Sequence, residues 1–93
     1  MLFLDAKAGD KIHIGTGNIV FEEVGRNYVT LSINLGQSMT TTVNVQQRFS
    51  LGNITFVITK IERKFGNKYA KIGIQAPNSV TILRDKVYQR QFQ

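Results

Sequence analysis

Short runs in which apolar residues occupy every second position, each closed by Gly or Asn, leave this chain essentially one class of fold. Lys11-Ile12-His13-Ile14, Ile19-Val20-Phe21, Tyr28-Val29-Thr30-Leu31-Ser32-Ile33, Ile54-Thr55-Phe56-Val57-Ile58-Thr59-Lys60-Ile61 and Tyr69-Ala70-Lys71-Ile72-Gly73-Ile74 follow the two-residue period of a pleated strand. The breaks between them, Gly17-Asn18, Gly25-Arg26-Asn27, Gly52-Asn53 and Gly66-Asn67, use residues that reach positive φ at little cost, as tight hairpins require. The one proline, Pro77, falls between two runs, where no ladder needs its missing N–H. The tail differs: Asp85 suits a helix N-cap, and Tyr88 and Phe92 share a helix face at i, i+4. The expectation is an all-β sandwich or barrel with a short C-terminal helix.

Ninety-three residues suit one domain, 1–93, with a modest core. Without cysteine, neither a disulfide framework nor a thiolate metal site is available. The N-terminus lacks the basic start and long apolar run of a secretory signal. No stretch nears the roughly 20 apolar residues of a membrane span. A cytoplasmic protein with no membrane partner is expected.

The net charge of +6 is unevenly placed. Residues 1–47 carry Lys7, Lys11 and Arg26 against Asp5, Asp10, Glu22 and Glu23, a net of −1. Residues 48–93 carry Arg48, Lys60, Arg63, Lys64, Lys68, Lys71, Arg84, Lys86 and Arg90 against Glu62 and Asp85, a net of +7. Such an imbalance points to a polyanionic partner, either nucleic acid or an acidic protein surface.

The chain also repeats itself. Gly17-Asn18-Ile19-Val20-Phe21 returns as Gly52-Asn53-Ile54-Thr55-Phe56, and Tyr28-Val29-Thr30-Leu31-Ser32-Ile33-Asn34 as Tyr69-Ala70-Lys71-Ile72-Gly73-Ile74-Gln75. The spacing grows from 35 to 41 residues because the second hairpin, Glu62 to Lys68, is longer and more basic. Two matching units imply an internal pseudo-two-fold, a dimer written as one polypeptide. Chance likeness between alternating strands is the competing explanation.

The two ends of the chain carry a family likeness. Met1-Leu2-Phe3-Leu4-Asp5-Ala6-Lys7-Ala8-Gly9-Asp10-Lys11-Ile12-His13-Ile14-Gly15 resembles the opening of the carbon storage regulator family of RNA-binding translational repressors. That opening reads Met-Leu-x-Leu, two basic residues, Gly-Glu, then an apolar-x-Ile-Gly strand. Gly66-Asn67 and the run Ile72-Gly73-Ile74-Gln75-Ala76-Pro77-Asn78-Ser79-Val80-Thr81-Ile82-Leu83-Arg84-Asp85-Lys86-Val87-Tyr88-Gln89-Arg90 resemble the family's second half. The resemblance implies an intertwined pair of five-stranded units, with the first strand of one beside the last strand of the other. The paired edges would hold RNA hairpin loops containing single-stranded GGA near a ribosome-binding site and so block translation. It further implies RNA contacts from Leu4 and Lys7 on the first strand and from Ile82 and Arg84 on the last. A protein antagonist of the family is an implied alternative partner, and no cofactor is implied.

This sequence departs from the pattern at Ala6, where the family has Arg, and at Asp5, an added negative charge. Losing one charge-assisted hydrogen bond costs binding about 1–3 kcal/mol. The middle is compressed. Unit one spans about 1–38 and unit two about 46–93, and the single run 39–45 stands where a tandem fusion would need two strands and a helix. This run carries no basic residue, so one RNA site per chain is expected. The chain is then a monomeric pseudo-dimer, or one that pairs again as a homodimer.

Arg84 offers a rigid fork suited to a phosphate or a guanine edge, whereas Lys7 offers a point charge. Lys60, Arg63, Lys64 and Lys68 can track a backbone, Lys64 foremost, and Phe65 at the hairpin tip can stack on a base. Lys86 and Arg90 extend the basic character into the tail, where they also suit a helix C-terminus. Leu4 and Ile82 have core packing as their alternative role. Catalysis finds no constellation: His13 is the only histidine, Glu22 and Glu23 are expected on opposite strand faces, and Gly15-Thr16-Gly17 lacks the Lys-Ser/Thr of a phosphate loop. An enzyme is not expected. Two rival readings remain, a decoy or protein-binding relative that has lost RNA, and a non-specific nucleic-acid binder.

Overall fold

The computed structural model describes residues 1–85. Among these residues the strands are β1 (Leu2–Ala6), β2 (Lys11–Ile14), β3 (Gly17–Val24), β4 (Tyr28–Asn34), β5 (Ser38–Asn44), β6 (Arg48–Leu51), β7 (Ile54–Lys64), β8 (Asn67–Gln75) and β9 (Ile82–Arg84). They form two antiparallel sheets, one in the order β1-β8-β7-β6 and the other β5-β4-β3-β2-β9. The expected tail helix, with Lys86, Tyr88, Arg90 and Phe92, lies outside the described residues.

Alternation decides what each sheet turns inward. Val29, Leu31 and Ile33 of β4 are fully buried, as are Ala70, Ile72 and Ile74 of β8. Ile12, Ile14, Ile19, Phe21, Phe56 and Ile58 join them in one core, together with Ala6, Val24, Val43 and Ile54. Each large side chain so buried contributes about 1.5–3 kcal/mol. No charged or polar residue is buried among the described residues, so the core has no buried charge to compensate.

The N-terminal strand does not pair with the last strand, contrary to the expectation. β1 pairs with β8, Leu2 opposite Ile74, Leu4 opposite Ile72 and Ala6 opposite Ala70, and β9 pairs with β2, Arg84 opposite Ile12 and Ile82 opposite Ile14. The reason is length and pattern. β8 is nine residues long and its buried Ile72 and Ala70 stand opposite Leu4 and Ala6, whereas β9 is three residues long. A second correction concerns the first hairpin. Its turn is Gly15-Thr16, with Gly15 at φ 60°, and Gly17-Asn18 belongs to β3. Gly17 is glycine because a Cβ there would collide with the Asn34 carbonyl and the Leu35 side chain.

With the turn relocated, the register of β1, β2 and β3 repeats in β5, β6 and β7 at an interval of 37 residues. Ile14 opposite Gly17 matches Leu51 opposite Ile54, and Ile19 opposite Ile33 matches Phe56 opposite Ile74. The bulge at Glu22 matches the bulge at Thr59. That bulge also leaves Glu22 and Glu23 both exposed, rather than on opposite faces. Gly9 at φ 93° matches Gln46 at φ 71°, and their N–H groups donate to the matched carbonyls of Phe21 and Ile58, each at 2.7 Å. Asp10 accepts from the Lys7 N–H at 3.0 Å as Gln47 accepts from the Asn44 N–H at 3.0 Å. β5 stands on β4 as β1 stands on β8: Met39, Thr41 and Val43 face Ile33, Leu31 and Val29. The longer β7–β8 hairpin raises the interval to 41 for β4 and β8.

Candidate nucleic-acid interface

β1 and β9 are edge strands of different sheets, and Arg84 of β9 reaches across to β1 at Asp5. Arg84 shares a strand face with Ile82 and stands opposite Ile12, so its side chain leaves its own sheet toward the other. Its Nη1 donates to the Asp5 carbonyl at 2.7 Å while the residue stays exposed. This bond uses one of the five guanidinium N–H groups.

Beside this contact lies an open cleft of about 440 Å³. Arg84, Lys7, Lys11 and Tyr69 line it together with Asp5, Asp10 and Asp85. Its charges balance. Lys7 Nζ lies 3.3 Å from Asp10 Oδ1, so the lysine expected to contact RNA already has a carboxylate. Lys7 also lines a second cleft of about 250 Å³, whose charged residues, Lys7, Arg63 and Lys68, are all basic. Lys7 lines both clefts, and the second is lined by Arg63, Gly66, Asn67 and Lys68 of the β7–β8 hairpin.

At that hairpin's tip Phe65 is 94% exposed at φ 52°. A bulky side chain in the left-handed region costs of order 1 kcal/mol or more, and an exposed one gains no burial in return. The pair Phe65-Gly66 closes a two-residue turn in which Asn-Gly is the favoured filling. Lys64 behind it lies 3.7 Å from Glu62 and 3.8 Å from Asp5. The Lys60 ammonium, 2.6 Å from Glu62, holds that carboxyl below the usual carboxylate range and is itself raised. As pH falls through the lowered Glu62 value the carboxylate is neutralised, and Lys60 and Lys64 lose it as a counter-ion.

The remaining site candidates divide by face. Leu4 and Ile82 pack against the core as partly buried residues, and neither lines the two clefts. Lys86 lies outside the described residues. His13 is held 2.7 Å from Asp85 Oδ1, a structural position beside β9. Among the described residues no group of three His, Cys, Asp or Glu side chains could hold a metal ion. No helix there is long and apolar enough to cross a membrane.

Compared with protein-family models, curated proteins and solved structures, the chain matches none. Its site is therefore read from its own chemistry. Sequence reasoning passed over Tyr69 and Lys11, which the cleft brings together with Arg84. A signal for Tyr69 was present: alternation with buried Ala70, Ile72 and Ile74 turns it to the other face of β8. Nothing in the sequence marks Asp10 and Asp85 as cleft neighbours, because their approach depends on how the two sheets stack.

Proposed function

We propose that this chain is an RNA-binding regulator that holds one single-stranded GGA loop per chain and competes with the ribosome for it. The observation that carries the reading is the meeting of Arg84 with β1 at 2.7 Å over an open cleft. Arg84, Tyr69 and Lys7 line this cleft, Lys7, Arg63 and Lys68 line the second, and the exposed Phe65 stands at the tip of the hairpin that carries Arg63 and Lys68. Cations that follow a backbone, alternating with rings on which bases stack, are the common design for single-stranded nucleic acid. The 37-residue register that relates β1, β2 and β3 to β5, β6 and β7 supports two family-like units in one chain, with β5 in the place of a second β1. No described strand stands beside β6 as β9 stands beside β2, which supports one RNA site rather than two. The choice of GGA and of a ribosome-binding site rests on the family resemblance alone.

The test is a titration of a GGA hairpin by anisotropy at moderate salt, with a CCA hairpin as control. Binding of one RNA per chain and a clear preference for GGA are expected. Equal affinity for both RNAs, falling steeply with salt, would identify a non-specific binder. A second reading has an observation of its own. The balanced charges of the larger cleft, with Asp5, Asp10 and Asp85 beside its cations, also suit a relative that engages a protein and has lost RNA. No detectable hairpin binding, with the fold intact, would select that reading.

Two further outcomes are expected along the proposed track. Phe65→Asn relieves the positive-φ strain and raises stability by about 1 kcal/mol, yet weakens RNA binding by about 1–3 kcal/mol if the ring stacks on a base. Thermal melts and anisotropy should therefore move in opposite directions. The double variant Arg63→Ala with Lys68→Ala should weaken every RNA alike. It should also flatten the plot of log affinity against log salt by about 0.7 for each phosphate that is no longer neutralised. An unchanged slope would remove the hairpin from the track.

A further inference from the structure

The internal repeat supplies a control that exposes a second binding surface. β6 is the register copy of β2, with Phe49 at the position of Ile12 and Leu51 at that of Ile14. β2 is covered on both sides, by β3 and β9, whereas β6 pairs only with β7 among the described residues. The consequence appears in burial. Ile12 and Ile14 are 1% and 2% exposed, whereas Phe49 and Leu51 pack on the core yet remain only partly buried. Phe49 is already positioned, stacked on Phe56 with ring centroids 6.4 Å apart. An unpaired edge of this kind presents a row of backbone donors and acceptors to an incoming strand.

We propose that β6 is a docking edge for an extended segment of a partner protein, which would join its sheet as β9 joins the other. The copy defines the partner's chemistry. β9 places Ile82 opposite Ile14 and Arg84 opposite Ile12, and Arg84 reaches the Asp5 carbonyl. A segment on β6 therefore needs an apolar residue opposite Leu51 and a long cation opposite Phe49. That cation finds the carbonyl of Thr42, which β5 holds at the position matching Asp5. Main-chain hydrogen bonds supply the affinity of such strand addition, and alternate side chains supply its specificity. A second copy of this chain is the weaker candidate, because its own segment of that chemistry is already engaged on β2. No β6 residue lines either cleft, so this edge is independent of the RNA reading.

The probe is a synthetic peptide with the sequence of residues 79–85, titrated into the isotope-labelled full chain and followed by NMR. Saturable shift changes are expected at Phe49, Ser50 and Leu51 and at the facing β5 residues. Exchange of the β6 amides should slow about tenfold at saturation. The peptide carrying Ile82→Asp should lose these effects. The proposal is overturned if millimolar peptide leaves β6 unshifted, or if the shifts fall on β2 instead. It is equally overturned if light scattering shows a dimer whose β6 amides are protected before peptide is added.

Discussion

Arg84→Ala is expected to weaken binding of a GGA hairpin by roughly 5- to 150-fold, the equivalent of about 1–3 kcal/mol for one specific bidentate contact. Stability should fall far less, by about 1 kcal/mol, since the Asp5 carbonyl that Arg84 leaves lies at a solvated edge. Arg84→Lys separates charge from geometry. A lysine retains the charge but cannot present a planar fork, so it should restore part of the affinity and little of the preference for GGA over CCA. Anisotropy titrations of the three proteins against both hairpins measure this directly. Wild-type affinity in Arg84→Ala would leave the cleft without a role in RNA recognition and would favour a protein partner.

The largest effect on the fold is expected from Phe21→Ala. The ring is 0% exposed, stands opposite Leu31 on the inward face, and occupies the strand next to β2, which carries β9. Truncating a buried phenylalanine costs about 3–5 kcal/mol. For a domain of this size such a loss lowers Tm by more than about 10 °C. The Phe21 backbone also links with the loop before β2, accepting from Gly9 at 2.7 Å and donating to Asp10 at 2.8 Å. A collapsed ring site should therefore disturb the cleft wall as well as the core. Calorimetry gives the first effect, and RNA affinity measured well below Tm gives the second. A drop in Tm of only a few degrees would mean that the sheets repack around the gap.

Much of this architecture was legible in the residues. The alternation of Val29, Leu31 and Ile33 and of Ala70, Ile72 and Ile74 requires strands with one buried face, because a one-residue slip would turn the whole set to water. A repeated pattern was visible too, but the Gly17-Asn18 and Gly52-Asn53 pairs suggested an interval of 35 residues where the strand register gives 37. Two Gly-Asn pairs look alike as letters, and turn propensity cannot tell a glycine needed for positive φ from one needed for space. Gly15 is the first kind; Gly17 is the second, pressed against the Asn34 carbonyl.

For the site, the residues alone state which chemistry the chain carries: a cationic second half, an arginine after an alternating apolar run, an aromatic on a basic hairpin. What that chemistry meets was settled by the packing of the two sheets. Packing placed β1 on β8 and β9 on β2, brought Arg84 to Asp5 from 79 residues away, set carboxylates beside Lys7 and Lys64, and left β6, among the described residues, without the neighbour that β2 has. Local pattern fixes which face of a strand is buried, since that depends on neighbours in the chain. Which edges meet depends on how two sheets of opposite surfaces stack, and that is set by the summed burial of the whole core.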